Sequence, residues 1–386
     1  MVNAEASVER RPEEVGVSSA RLARALAILD GWVDQDVVPG VAAVALRRGV
    51  VVARHFRGWA APESGSGEAR PIGPETIFPL SSATVPISAT AFLTFVEAGE
   101  VLLDDPVARF VPEFGRLGKD QIRIRHLLGH TSGLPDMLPN NESLRKSHSG
   151  LPAFVRAAYR QEVGFTPGTQ VSYSSTGILM LAEVAERIAK QPFADLLSER
   201  VSRPLGLRTA GLRPPEPTYG RIARLRLPEG RSSTDWDNNS PYWRRLAAPW
   251  GGAFATADDV ARFGQFFLEA CGFAGATWQA GPGLVLSPAT ARLMVQNHTR
   301  GLAVVGGLPD SWGLGWALPG ARTSGWAGNL GSSDTFGIVG ASGAMAWVDP
   351  ARELVCVVLT NRITSWPIEY RRFALFSNAL QAAVVG

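Results

Sequence analysis

The sequence predicts an α/β protein: one antiparallel sheet assembled from both ends of the chain, flanked by helices, with an inserted, mostly helical lobe. Three observations predict it. Short apolar runs bounded by turn residues occur near the N terminus, at Val41–Leu46 and Val50–Phe56, and again after Trp312, at Thr335–Val339, Ala344–Val348 and Leu354–Thr360. Between them the apolar residues repeat at helical spacing. The chain has 386 residues, 45% hydrophobic and 19% charged, enough apolar material for a large core and too little charge for a disordered chain. The expected layout is an α/β lobe from residues 1–75 and 291–386 and a helical lobe from 76–290, together one compound domain.

Each element has a local reason. Leu22, Leu26, Ile28, Leu29 and Trp32 make an apolar stripe over residues 19–33, with Ser18 or Ser19 placed to cap it. Arg48-Gly49 joins the first two strands as a hairpin. Ala61–Pro74, rich in Gly, Pro, Ser and Glu, reads as an exposed loop, and a helical pattern then runs from Ser82 to a stop at Gly99. Helices are expected at Ala153–Arg160, Thr176–Lys190 and Ala257–Glu269, the last capped by Thr256 with Asp258 and Asp259 at its positive end. Residues 213–250 show no period and read as loop. Asp349-Pro350-Ala351-Arg352 turns the chain between the last two strands, and residues 367–384 close it as an amphipathic helix.

Composition excludes several functions. The net charge is only +3, with arginines scattered among acids, and lysine occurs only at Lys119, Lys146 and Lys190, so there is no basic face for nucleic acid. No apolar stretch approaches the roughly 20 residues needed to span a bilayer, and MVNAEASVERRPEEVG lacks the apolar core of a secretory signal. Cys271 and Cys356 are expected to be buried thiols, not a disulfide framework. The expectation is a cytoplasmic protein with a small-molecule substrate, no nucleic-acid or membrane partner, no metal and no cofactor.

Four segments carry more information: FPLSSATVPISATAFL, IRHLLGHTSGLP (Ile124–Pro135), FTPGTQVSYSSTG (Phe165–Gly177) and WGGAFATADDVARF (Trp250–Phe263), followed by the terminal FGIVGASGAMAWVDP and LVCVVLTNR. With these landmarks in this order, from about Val15 to Ala382, the chain resembles the serine hydrolases of the class C β-lactamase, penicillin-binding protein and family VIII esterase group. The resemblance implies the fold of that group. It also implies three motifs. The first is Ser-x-x-Lys, whose serine is acylated and whose lysine helps take its proton. Here the serine position is Ser82 and the lysine position is Val85. The second, Tyr-x-Asn/Ser, is intact as Tyr173-Ser174-Ser175. The third, Lys-Thr-Gly or His-x-Gly on a strand, has Ile338 at the cation position and keeps Gly340.

Two of the three motifs have thus lost their ionisable residue. The resemblance makes Ser82 and Tyr173 the catalytic candidates, with Val85, Ser175, Trp250, Trp312, Ile338 and Gly340 lining the substrate site. Without a lysine beside it, Tyr173 is expected to titrate near the ordinary value of about 10, which leaves roughly one part in a thousand ionised at pH 7. If tyrosinate is the base, that removes about 10³ in rate. Two β-branched aliphatics at the vacated positions suggest a dry pocket. Trp236, Trp243, Trp250, Trp312, Trp316 and Trp326 fall in segments that border the cleft in the resembling group, which favours a bulky apolar or aromatic ligand.

Other candidates carry less. The literal Ser-x-x-Lys at Ser143–Lys146 sits in a polar stretch without a following apolar helix. His126 and His130 are four apart but lack the glutamate and third ligand of a zinc hydrolase, so a structural role is expected. His55, His148 and His298 read as surface or satisfied histidines, and Asp334 as an exposed loop residue. Three functions remain: a serine esterase or acyltransferase working through Ser82 and Tyr173, with activity rising steeply with pH; a repurposed cyclase, isomerase or lyase in which neutral Tyr173 donates a proton or hydrogen bond; and a pseudoenzyme that binds without turnover.

Overall fold

Residues 11–61, 69–229, 233–272, 285–305, 311–320, 325–363 and 366–386 are described by the structure, a computed structural model. Residues 62–68 of the expected loop Ala61–Pro74 lie outside them. The helices are α1 (Ser19–Asp34), α2 (Val85–Glu97), α3 (Ile124–Leu128), α4 (Asn141–Lys146), α5 (Leu151–Ala158), α6 (Ser175–Ala189), α7 (Phe193–Leu197), α8 (Pro241–Leu246), α9 (Ala257–Ala270), α10 (Pro288–Val295) and α11 (Trp366–Gln381). The strands are β1 (Gly40–Arg47), β2 (Val50–Ala61), β3 (Arg70–Pro71), β4 (Phe78–Pro79), β5 (Gln170–Val171), β6 (Phe254–Ala255), β7 (Ala303–Val304), β8 (Ser311–Trp312), β9 (Ala317–Leu318), β10 (Phe336–Gly340), β11 (Ala344–Asp349) and β12 (Leu354–Thr360).

The caps fall where the sequence puts them. Ser18 Oγ accepts the Arg21 amide at the start of α1, and Thr256 Oγ1 accepts the Asp259 amide at the start of α9. Arg48 and Gly49 both have positive φ, 53° and 74°, as a tight turn matched to strand twist requires. The stretch 213–250 is less irregular than expected. It contains a 3₁₀ turn at Glu216–Arg221 and the short α8, capped by Ser240 Oγ on the Trp243 amide.

Eight strands form the main sheet in the order β3-β2-β1-β12-β11-β10-β9-β8, every neighbouring pair antiparallel. The two ends of the chain meet where β1 pairs with β12, Val41 opposite Thr360 and Arg47 opposite Leu354. Both strands are buried along their whole length, which is why they read as continuous apolar runs. Side chains alternate across a strand. Trp347 donates its indole N–H to Ser377 of α11 at 3.0 Å. Val348 and its partner Val355 instead meet Gly264 of α9. Helix α11, with α1 packed on it through Trp32, Phe373 and Phe376, therefore covers one face and α9 the other. Helix α9 falls within 76–290 yet packs on β1, β11 and β12, so the helical lobe is smaller than the sequence boundaries imply. Its centre is α6, packed against α2, α3, α5 and α7.

Strand β4 leads directly into the turn that bears Ser82 and is held by β6, Phe78 opposite Ala255. The residue that fixes this corner is Asp259, buried at the start of α9. Its carboxylate accepts the amides of Arg208 at 3.0 Å and Thr209 at 2.7 Å, and Thr209 Oγ1 in turn accepts the Thr256 amide at 3.0 Å. Asp259→Ala leaves two amides without acceptors. The expected loss is about 2–3 kcal/mol of unfolding free energy, read by urea denaturation.

Candidate active site

Ser82 sits in a 3₁₀ turn, Ser81–Thr84, that runs into α2, and the turn is unusual from its first residue. Ser81 has φ 46°, the left-handed region in which a non-glycine residue is strained. The neighbouring segment 249–253 holds it there: Leu80 N–H donates to Ala253 O at 2.8 Å, the Ala253 amide to Thr84 Oγ1 at 3.0 Å, and Ser88 Oγ to Pro249 O at 2.7 Å. Strand β10 closes from the sheet side. A Cβ on Gly340 would lie 2.1 Å from Leu80 O, so only glycine lets the strand approach so closely, and Ser342 Oγ donates to Pro79 O at 2.6 Å.

Tyr173 reaches the same place from the helical lobe. The chain on either side of it is tied to residues 130–136. Ser172 N–H donates to His130 O at 2.9 Å, and Ser174 N–H to His130 Nδ1 at 3.2 Å. Ser174 Oγ donates to Pro135 O at 2.9 Å while accepting the Gly177 amide that begins α6. Ser175 gives both its N–H, at 3.1 Å, and its Oγ–H, at 2.7 Å, to Asp136 Oδ1. The His130 ring lies 4.6 Å from that of Tyr173 and 4.2 Å from that of Trp312, so the phenol stands against a wall of rings.

The electrostatics follow from that burial. The Tyr173 hydroxyl has the Ser82 and Ser175 hydroxyls nearby but is buried without a hydrogen-bond partner. Desolvation, with the Asp136 carboxylate adding to it, pushes its pKa well above the ordinary phenol range, and the two serines offset this only in part. The expectation of titration near 10 is therefore corrected: an unscreened apolar setting, and not simply a missing lysine, holds Tyr173 neutral. Tyr370, on α11, lies near Tyr173 and is itself shifted upward, chiefly by burial. His130 is neutral too. Burial lowers its pKa to about 3, and because Nδ1 accepts the Ser174 amide, Nε2 carries the proton, buried without a partner.

Ser82 is half-buried and Tyr173 stands beside it. Val85, one turn after Ser82, and Trp312 expose no surface, and Ile338 exposes 3%. These three pack into the hydrophobic core around the site. Ser175 and Trp250 line a narrow cleft of about 10 Å³, room for one water, shared with Asp136, Met137 and Phe154. Gly340 acts through backbone proximity, as above. Trp316 packs with Phe263, Phe267 and Phe336 in the core, and Trp243 and Trp236 stack on the Arg145 guanidinium.

The remaining candidates resolve simply. Ser143–Lys146 lies on α4, where Lys146 pairs with Glu142 at 2.6 Å. His126 Nδ1 accepts the Arg123 amide, and burial lowers its pKa to about 4. His55 pairs with Asp30, His148 with Asp235, and His298 bonds Leu293 O, while Asp334 is exposed. Cys271 and Cys356 are buried free thiols, the former pushed up to about 12 by burial. Among the described residues no group of His, Cys, Asp or Glu has the makings of a metal site, and no helix is long and apolar enough to cross a membrane. Sequence reasoning expected a structural role for His130 and did not single out Asp136 or Tyr370. Asp136 stands with His130 in the contiguous run HTSGLPD, whose length between two helices was its available signal.

The sequence profile described as Beta-lactamase matches residues 25–376. The chain belongs to the beta-lactamase family. It is 30% identical to Esterase EstB of Burkholderia gladioli, over 91% of this chain and 93% of that one. It is 32% identical to Penicillin-binding protein 4 of Amycolatopsis lactamdurans, over 74% of this chain and 72% of that one. Among solved structures it is similar to EstCE1, described as a hydrolase with promiscuous acyltransferase activity, with a TM-score of 0.74 at 24% identity over 95% of this chain and 99% of that one. The antiparallel sheet flanked by helices is the fold these proteins share.

The close approach of β10 to the Ser82 turn gives a direct test. Gly340→Ala should cost about 2 kcal/mol of stability, since an added methyl meets backbone that cannot give way. Gly73→Ala, with nothing within 4 Å of its new methyl, should change stability by less than about 0.5 kcal/mol. Chemical denaturation of both variants checks the pair.

Proposed function

We propose that this member of the beta-lactamase family is a slow serine esterase or acyltransferase acting through Ser82 and Tyr173 on a bulky apolar ester or acyl substrate. The observation that carries the reading is the placement of a half-buried Ser82 beside the Tyr173 hydroxyl at the junction of β10, α2 and α6. The similarity to EstB and to EstCE1 supports esters and acyl transfer over other acyl chemistry.

In this reading Ser82 Oγ adds to the ester carbonyl, its proton passes to Tyr173 or to water, and the leaving alkoxide takes a proton to depart as the alcohol. The acyl group is then transferred from Ser82 to water or to a second alcohol. Proton removal limits the rate. With no cation to favour tyrosinate and burial opposing it, the ionised fraction at pH 7 falls below the roughly one part in a thousand of a free phenol. The active form is the deprotonated one and its pKa lies above 10, so the rate climbs about tenfold per pH unit through pH 7–10 without a plateau. Poor leaving groups, as in amides, are disfavoured.

A second reading has its own observation. A neutral phenol, buried and unpartnered, is a ready hydrogen-bond donor to a substrate oxygen. A non-acylating isomerase, cyclase or lyase would use Tyr173 in that way and tolerate Ser82→Ala.

Labelling by a fluorophosphonate probe, followed by intact mass between pH 7 and 10, separates the two. One adduct on the wild type, absent from Ser82→Ala and forming faster as pH rises, is the expected outcome. A folded wild type with no adduct at any pH would leave the non-acylating reading in its place.

A further inference from the structure

A second cavity opens between the segment 75–77, the loop 208–221 and the residue that caps α9. It has a volume of about 220 Å³, against the roughly 10–15 Å³ that one water needs. Its walls share no residue with the Ser82 site, but the backbone joins the two. Ile77 immediately precedes β4 and Thr256 immediately follows β6, the paired strands that lead into the Ser82 turn.

The hydroxyls of the wall divide by what they have left to give. Thr209 is spent, since its Oγ1 donates to Asp259 Oδ2 at 2.5 Å and accepts the Thr256 amide at 3.0 Å. Thr218 Oγ1 gives its proton to Pro215 O at 2.6 Å and keeps only lone pairs. Thr256 is the reverse. It is only 6% exposed, accepts the Asp259 amide at 3.3 Å, and has no acceptor for its own proton among the described residues.

The charges divide in the same way. Arg221 donates from Nε to Glu75 O at 3.0 Å and from Nη2 to Glu75 Oε2 at 2.5 Å, which pairs the one acid in the wall and leaves Nη1 unspent. Arg208 faces the cavity too. Its amide is fixed on Asp259 Oδ1 at 3.0 Å, but its guanidinium has no partner among the described residues. The acids of the first turn of α9 do not supply one: Asp259 takes the amides of Arg208 and Thr209, and Asp258 pairs with Arg54 at 2.9 Å. The wall is left with one uncompensated positive charge, on a residue whose backbone is held in place.

We infer that this cavity is a second ligand site, for a small hydroxylated phosphate monoester. The phosphate would take the guanidiniums of Arg208 and Arg221 and the Thr256 hydroxyl, and the ester's own hydroxyls the lone pairs of Thr218 and Glu75. Three separate donor groups suit a tetrahedral oxyanion better than a planar carboxylate, which a single guanidinium fork satisfies. The inference is independent of acylation at Ser82, and binding can be read without turnover.

The test is titration of the full-length protein with glycerol 3-phosphate, glycerol and inorganic phosphate, followed by calorimetry and phosphorus NMR. Glycerol 3-phosphate should bind at least about tenfold more tightly than glycerol, and about threefold more tightly than inorganic phosphate, which has no hydroxyls for Thr218 and Glu75. Arg208→Gln removes an exposed side chain and should leave the unfolding midpoint unchanged while weakening glycerol 3-phosphate about tenfold. Arg24→Gln, an exposed position on α1 across the sheet from α9, should change the affinity by less than about twofold. No binding of glycerol 3-phosphate at about 10 mM, glycerol or inorganic phosphate bound as tightly, or equal losses in the two variants would each overturn the inference.

Discussion

The tie between residues 130–136 and 172–176 determines what the rest of the site can do. Its hydrogen bonds hold Tyr173 between His130 and Trp312 and aim the phenol at Ser82 from the helical lobe, while the sheet delivers Gly340 from the other side. The serines of the tie spend their hydrogen bonds on residues 130–136 and the His130 Nε2 proton is buried without a partner, so little is left to solvate the phenol. A tyrosine so placed is rigid and dry. Rigidity serves catalysis by fixing geometry, but dryness works against ionisation, and a nearby cation is the usual means of reconciling the two.

This chain has no such cation at the matched positions. Val85 and Ile338 are packed out of solvent as ordinary core residues, and replacing either by a charged residue would bury an ion at considerable cost. The aliphatic positions, the neutral His130 and the neutral Tyr173 are mutually consistent: each lowers the local polarity that another would need in order to ionise. Among the described residues, the charge that acts on Tyr173 is the Asp136 carboxylate, opposite in sign to the cations that the family resemblance implies.

Much of this was legible in the sequence, for particular reasons. The central strands β1 and β12 announce themselves because burial on both faces demands continuous apolar residues. Helices α1 and α9 carry their own caps. The motif spacing placed Ser82, Tyr173 and Gly340, since local backbone geometry and close approach constrain those positions. What stayed hidden depends on packing between distant segments. Nothing local says that α9 leaves the helical lobe to cover the sheet, or that Trp316 joins Phe263 and Phe336 in the core while Trp250 reaches the cleft. The upward shift of Tyr173 was invisible for the same reason: desolvation is a property of the surroundings, here the rings of His130 and Trp312, with the charge of Asp136 adding to it. Asp136 could be read only as one more loop carboxylate until Ser175 was seen to donate to it.

The account stands or falls on Tyr173 remaining a neutral phenol. The direct measurement is ultraviolet difference titration of tyrosinate in the wild type and in Tyr173→Phe, whose subtraction isolates one of the five tyrosines. The account predicts no difference between the two curves below about pH 10, the ordinary phenol value. A phenol that titrates in the difference curve below about pH 9 would contradict it, and would mean that a cation or bonding partner reaches Tyr173 in solution.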